Sequence, residues 1–109
     1  MSRDEILEYP YSGVITRVTE GDGVDIEETI YEGVMDEHMT TDSEGHLLQT
    51  SSYIISIPLT TDLGGQWIVP RKGDNIKLMR YGEVIEFVVD NAEPSQLGGV
   101  SIYSTRKKW

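Results

Sequence analysis

Six side chains able to hold a cation fall within eleven residues of this chain: Asp36, Glu37, His38, Asp42, Glu44 and His46. Carboxylates and imidazoles are the ligands that hard and borderline cations use. Their spacing fits none of the established devices. An EF-hand loop sets oxygen ligands at fixed positions and ends in a bidentate Glu, a pattern missing from this segment. The chain has only two histidines and no cysteine, and no His-x-x-x-His pair on a helix, so it is poorly equipped for most zinc sites. The segment from His38 to His46 (HMTTDSEGH) therefore reads as a polar, solvated hairpin loop, with no metal or cofactor expected. A metal-dependent enzyme would need both histidines to converge with Asp36, Asp42 or Glu44.

Other catalytic constellations are equally poorly supported. Ser and Thr are plentiful, but no G-x-S-x-G elbow stands between a strand and a helix. A triad would have to recruit His38 or His46 from the polar loop. Carboxylate pairs follow from acidic composition and carry no signal for glycoside hydrolysis. Gly64-Gly65 is not followed by Lys-Ser/Thr or by the start of a helix, so it is no phosphate loop. A protein without catalytic residues is the expectation.

The elements that would position any site are strands. The 109 residues suit one domain, large enough to fold without staples. Gly13–Thr19 (GVITRVT) is rich in β-branched residues and closes on Glu20-Gly21-Asp22-Gly23. A second strand falls within Asp25–Glu37, with Thr29, Tyr31 and Met35 on one face and Ile30 and Val34 on the other; Gly33 marks a bulge or a close contact. Tyr53, Ile55, Ile57 and Leu59 alternate with Ile54, Ser56 and Pro58, and Pro58 places that end at an edge or a strand terminus. Pro70–Asn91 is the best-specified stretch: a Pro-Arg-Lys-Gly-Asp turn, a run with Ile76 and Leu78, the break Arg80-Tyr81-Gly82-Glu83, then a run with Ile85, Phe87 and Val89. That is a β-hairpin with a short loop. Val100–Ser104 forms a last strand.

About six short strands with almost no helix predict an all-β, single-domain antiparallel barrel, since closure removes exposed edges. A short capped helical turn at Ser2–Glu8 belongs to an N-terminal arm, residues 1–12, that has to dock to be stable. The other special segments are a long loop, 60–72, and a basic tail, 105–109.

Charge is uneven along the chain. Residues 1–50 carry 13 acids and 2 bases, whereas residues 51–109 carry 6 acids and 7 bases. A net charge of −10 makes a poor grip for nucleic-acid phosphates, which needs clustered Lys and Arg. No apolar run has signal-peptide length or approaches the roughly 20 residues of a membrane span, so a non-exported chain without membrane contact is expected. The absence of cysteine is compatible with a reducing compartment.

Two segments read as contact surfaces. The glycine-rich loop carries Leu63, Trp67, Ile68, Arg71 and Lys72; Trp is enriched at interfaces, although Trp67 could equally fold back to cap an open barrel end. The tail carries Arg106, Lys107, Lys108 and Trp109, on a chain whose other half is acidic. A tail docking on the acidic half of the next copy is a heterologous contact of the kind that closes into rings.

The order of elements resembles the small head–tail connector proteins of tailed bacteriophages, the head-closure or stopper class. The resemblance spans residues 12–105. It rests on Ser12-Gly13-Val14-Ile15, on Gly73-Asp74-Asn75-Ile76 ahead of the hairpin, and on Gly98-Gly99-Val100-Ser101-Ile102 at the last strand. It implies a compact barrel in a homo-oligomeric ring between portal or adaptor and tail proteins, in a virion assembled in the bacterial cytoplasm. DNA would pass such a ring without specific binding, and a long loop, Thr60–Lys72 or its rival Met39–Gly45, would touch neighbours or the channel. The alternative is a small barrel module that grips a peptide or glycan with Trp67 and the six tyrosines.

Overall fold

The computed structural model of the chain describes residues 10–39, 52–94 and 99–107. Among them run six strands and no helix: β1 (Tyr11–Gly21), β2 (Val24–Met39), β3 (Ser52–Pro58), β4 (Asn75–Arg80), β5 (Glu83–Pro94) and β6 (Gly99–Arg106). All neighbours are antiparallel. The sheet closes in the order β1-β2-β3-β6-β5-β4, because β1 pairs with both β2 and β4. The all-β barrel expected from the strand pattern is the fold. The helical turn expected at Ser2–Glu8 lies outside the described residues.

Period-2 patterning builds the core. Ile76 and Leu78 from β4, Ile85, Phe87 and Val89 from β5, Ile55 and Ile57 from β3, and Val100 and Ile102 from β6 all point inward with Ile15 and Met35. Phe87 is the bulkiest fully buried side chain and meets Tyr53 edge-to-face, ring centroids 5.3 Å apart. Two-residue turns, Asp22-Gly23 and Tyr81-Gly82, join β1 to β2 and β4 to β5. All four residues have positive φ (49°, 77°, 51° and 80°), the type I′ geometry that matches strand twist.

Two glycines stand where β1 and β2 pair, each at a point with no room for a side chain. Gly13 and Gly33 are directly paired. A Cβ on Gly13 would clash with the Lys77 carbonyl oxygen and lie 2.6 Å from the Met35 sulfur, and one on Gly33 would lie 2.9 Å from the Tyr31 hydroxyl. Tyr31 lays its ring over Gly33 and donates its hydroxyl hydrogen to the Val34 carbonyl, filling the space a side chain would take. Gly13→Ala is therefore expected to cost about 2 kcal/mol or more through overpacking against backbone that cannot yield. Urea unfolding measures it, and a cost below about 0.5 kcal/mol would mean that the wall has slack.

Two readings of β2 need correction. The strand runs through His38 to Met39, so those residues are not loop: they pair with Ile54 and Tyr53 of β3. The register slips opposite Ile15 and Thr16, where Tyr31 and Thr29 face them and Ile30 is the extra residue. The bulge is at Ile30, and Gly33 is the close contact. The slip separates Thr29, which is exposed, from buried Tyr31 and Met35.

The register also sorts the connections between two ends. At one end lie the β1–β2 turn, the connection 59–74, the end of β5 and the start of β6. At the other lie the Tyr81-Gly82 turn, the end of β6 and Lys107.

Candidate functional site

The end that carries the β1–β2 turn has the relief from which a contact surface can be made. Among the described residues, β4 meets β1 over Ser12–Thr16 alone, and β3 meets β2 over Asp36–Met39 alone. The two strands nevertheless stay paired to Gly21↔Val24. The part beyond Thr16 is a two-stranded ribbon reaching about 17 Å past the barrel, at roughly 3.3 Å per residue. Its cross-strand pairs alternate between two faces. Arg17↔Glu28, Thr19↔Ile26 and Gly21↔Val24 continue the barrel's inner face; Val18↔Glu27 and Glu20↔Asp25 form the other. Val24 is 64 % exposed and Ile26 57 %.

The connection 59–74 crosses this end from β3 to β4 and is built in two parts. Its distal part is a small hairpin. Thr61 bridges Trp67, the Ile68 N–H donates to the Thr60 carbonyl, and the Asp62 N–H donates to the Gln66 carbonyl. The Asp62 carboxylate accepts from the N–H groups of Gly64 and Gln66 at 2.8 and 3.1 Å, an Asx-type closure that holds the tip without packing. Leu63 stands fully exposed at that tip, and Trp67 is 61 % exposed.

The proximal part is pinned by Asp74. This carboxylate, 3 % exposed, accepts from Arg17 Nε at 2.9 Å and Nη2 at 2.8 Å, and from the Arg71 backbone N–H at 2.8 Å. Backbone bonds from Gly73 N–H to the Val89 carbonyl and from Val89 N–H to the Asp74 carbonyl lock the turn onto β5. The bidentate pair fastens the connection to the base of the ribbon. Hydrogen bonding to Asp74 holds the Arg17 guanidinium above its ordinary pKa, so the positive charge is permanent. Between the ribbon base and the small hairpin lies a cleft of about 230 Å³, lined by Arg17, Glu28, Ile30, Gln66, Trp67 and Arg71 among others.

The expected contact residues divide between the two ends. Leu63, Trp67, Arg71 and Lys72 are exposed on the 59–74 connection. Ile68 is half-buried and packs against the core, as Leu59 does, and Pro70 is buried, while Trp67 stays out. Arg106 and Lys107 lie at the opposite end, where the Lys107 N–H donates to the Glu86 carbonyl. Lys108 and Trp109 lie outside the described residues, as does the Met39–Gly45 loop beyond its first residue.

The acidic cluster that opened the sequence reading is drawn apart by strand alternation. The Asp36 carboxylate pairs with His38 at 3.0 Å. Glu37 projects the other way and takes Arg80 at 2.6 Å, with its second carboxylate oxygen buried and unpartnered. Asp42, Glu44 and His46 lie outside the described residues, among which no group of three metal-ligating side chains gathers. Among the described residues the aromatic rings are also dispersed. Tyr11 and Tyr81 stack edge-on at the end away from Trp67, while Tyr31 and Tyr53 belong to the core and its margin. Among the described residues no helix is long and apolar enough to cross a membrane. Compared with family models, curated proteins and solved structures, the chain matches none.

Proposed function

We propose that this chain is a non-enzymatic structural protein of a phage or prophage particle. In this reading it forms a homo-oligomeric ring at the head–tail interface and acts in head closure. The observation that carries the reading is the relief at one barrel end: a projecting acidic ribbon beside a hydrogen-bonded hairpin that holds Leu63 and Trp67 in solvent. An exposed aromatic on a pre-ordered support suits protein–protein contact, because little ordering entropy is lost on binding. The charged groups that could have served chemistry are bound up in structural pairs, Asp74 with Arg17 and Glu37 with Arg80. Dispersal of the rings supports this reading over the glycan-binding module, which needs several of them on one face.

Portal, adaptor and tail proteins are the partners in this reading, and the particle is assembled in the host cytoplasm. DNA passes by, because the ribbon presents Glu20, Asp22, Asp25 and Glu27, and like charge repels phosphate. Arg106 and Lys107 sit at the end away from the ribbon, so copies in head-to-tail contact bring basic tail and acidic half together.

The test is assembly. The purified chain is mixed with the portal, adaptor and tail proteins encoded beside it and followed by light scattering across a salt series. A ring or a stable complex that weakens as salt rises, and again on removal of residues 106–109, is the expected result. A chain that stays monomeric and captures none of these proteins overturns the reading. An assembly indifferent to salt and to the tail removes the electrostatic contact alone.

A further inference from the structure

The outer edge of β2 along the ribbon has no strand beside it among the described residues from Val24 to Ile30. A two-residue turn makes its flanking pair a hydrogen-bonded one, so Gly21↔Val24 exchanges both backbone bonds, as do Thr19↔Ile26 and Arg17↔Glu28 further along. The alternate residues on β2, Asp25 and Glu27, then aim N–H and C=O away from β1 into solvent. This is a ready template for one more strand. It carries charge of one sign: Asp25 and Glu27 with Glu20 on one face, and Glu28 on the other, while Arg17 is held by Asp74. That charge repels the same edge of a second copy. On the face opposite Asp25 and Glu27, Val24 and Ile26 offer apolar surface.

We infer that this edge is a strand-addition site for an extended basic segment of a partner protein, one in which Lys or Arg alternates with aliphatic residues. Each base stands opposite Asp25 or Glu27, and each aliphatic side chain lies over Val24 and Ile26 on the face that looks toward the Leu63–Trp67 hairpin. Main-chain bonds supply the docking and the alternation supplies selection, as in other β-augmentation contacts. The chain's own tail is a poor occupant, since β6 is paired on both sides through Thr105 and Lys107 is tied to β5. The inference deepens the surface-contact reading above, yet its test uses the isolated chain and does not depend on ring formation.

The probe is a labelled eight-residue peptide alternating Lys and Val, added to the full chain and followed by fluorescence anisotropy and amide hydrogen exchange. Binding that weakens with salt, with exchange slowed at Asp25 and Glu27, is expected. Glu27→Gln removes charge and keeps the edge donor. Glu27→Pro removes both without touching the β1–β2 ladder, so it should bind about fivefold or more weaker than Glu27→Gln, the effect of a lost ladder bond. A peptide N-methylated at alternate residues should lose a similar factor, and it serves as the check if Glu27→Pro does not fold. Equal binding by a Glu–Val peptide or by a block peptide of four Lys and four Val overturns the inference. So does binding by the chain's own Ser104–Trp109 segment as tight as by the probe, since the occupant is then a second copy.

Discussion

Replacing Phe87 with alanine is expected to destabilise the chain by about 3–5 kcal/mol, the range for removing a large aromatic from a packed core. The ring lies at the middle of β5, fully buried, paired across to Ile76 on β4 and edge-on to Tyr53 of β3. It therefore touches elements from separate parts of the sequence, and a small barrel has no second layer that could collapse into the void. Against a total stability of about 5–15 kcal/mol, the loss is a large share of the fold. Chemical denaturation with a constant m-value measures it. Phe87→Leu should keep most of the volume and recover more than half of the loss, which separates a packing role from a need for the ring itself. A cost under about 1 kcal/mol for the alanine would show that Phe87 is not the keystone its burial indicates.

The same burial pattern explains which parts of the fold could be read from residue order. β3, β4, β5 and β6 announce themselves because each has one wet face and one dry face, so Ile55/Ile57, Ile76/Leu78, Ile85/Phe87/Val89 and Val100/Ile102 recur with period 2. β2 is harder. From Val24 to Thr29 it leaves the barrel and both of its faces are exposed, so no alternation marks it, and the extra residue at Ile30 then inverts the pattern. His38 looked like loop because the polar run Asp36-Glu37-His38 hides a strand whose charges are paired on its two faces.

The candidate site was legible in kind and not in geometry. Trp67 in a glycine-rich connection is a local signal, and an Asx residue ahead of two glycines, Asp62-Leu63-Gly64-Gly65, was a further signal for the small hairpin. What no window contains is that Asp74, which reads as ordinary turn chemistry, is a buried carboxylate pinned to a residue 57 positions away. Pairings at that separation are products of closure, and so are the β2 edge left unpaired among the described residues and the placement of Arg106 and Lys107 at the opposite end.

That long-range pair carries the second large effect. Asp74→Ala is expected to cost about 3 kcal/mol, because it strands a half-buried guanidinium and an N–H of Arg71 in place of a satisfied bidentate contact. Arg17→Ala should cost a comparable amount by leaving the carboxylate of Asp74, 3 % exposed, with the Arg71 N–H as its remaining donor among the described residues. The pair should couple strongly: Arg17→Met with Asp74→Leu ought to be milder than either single truncation, since an apolar pair of similar size carries no uncompensated charge. Unlike Phe87→Ala, this change has a local signature. The turn remains held by the bonds between Gly73, Asp74 and Val89, so the barrel should persist under native conditions while the connection from Thr60 to Arg71 loses its fastening to the ribbon. Faster amide exchange and proteolysis confined to that connection are the expected readout, together with weaker assembly in the light-scattering experiment. Uniform acceleration across all six strands would instead mean that the pair supports the barrel as a whole and does not set the posture of the Leu63–Trp67 hairpin against the ribbon.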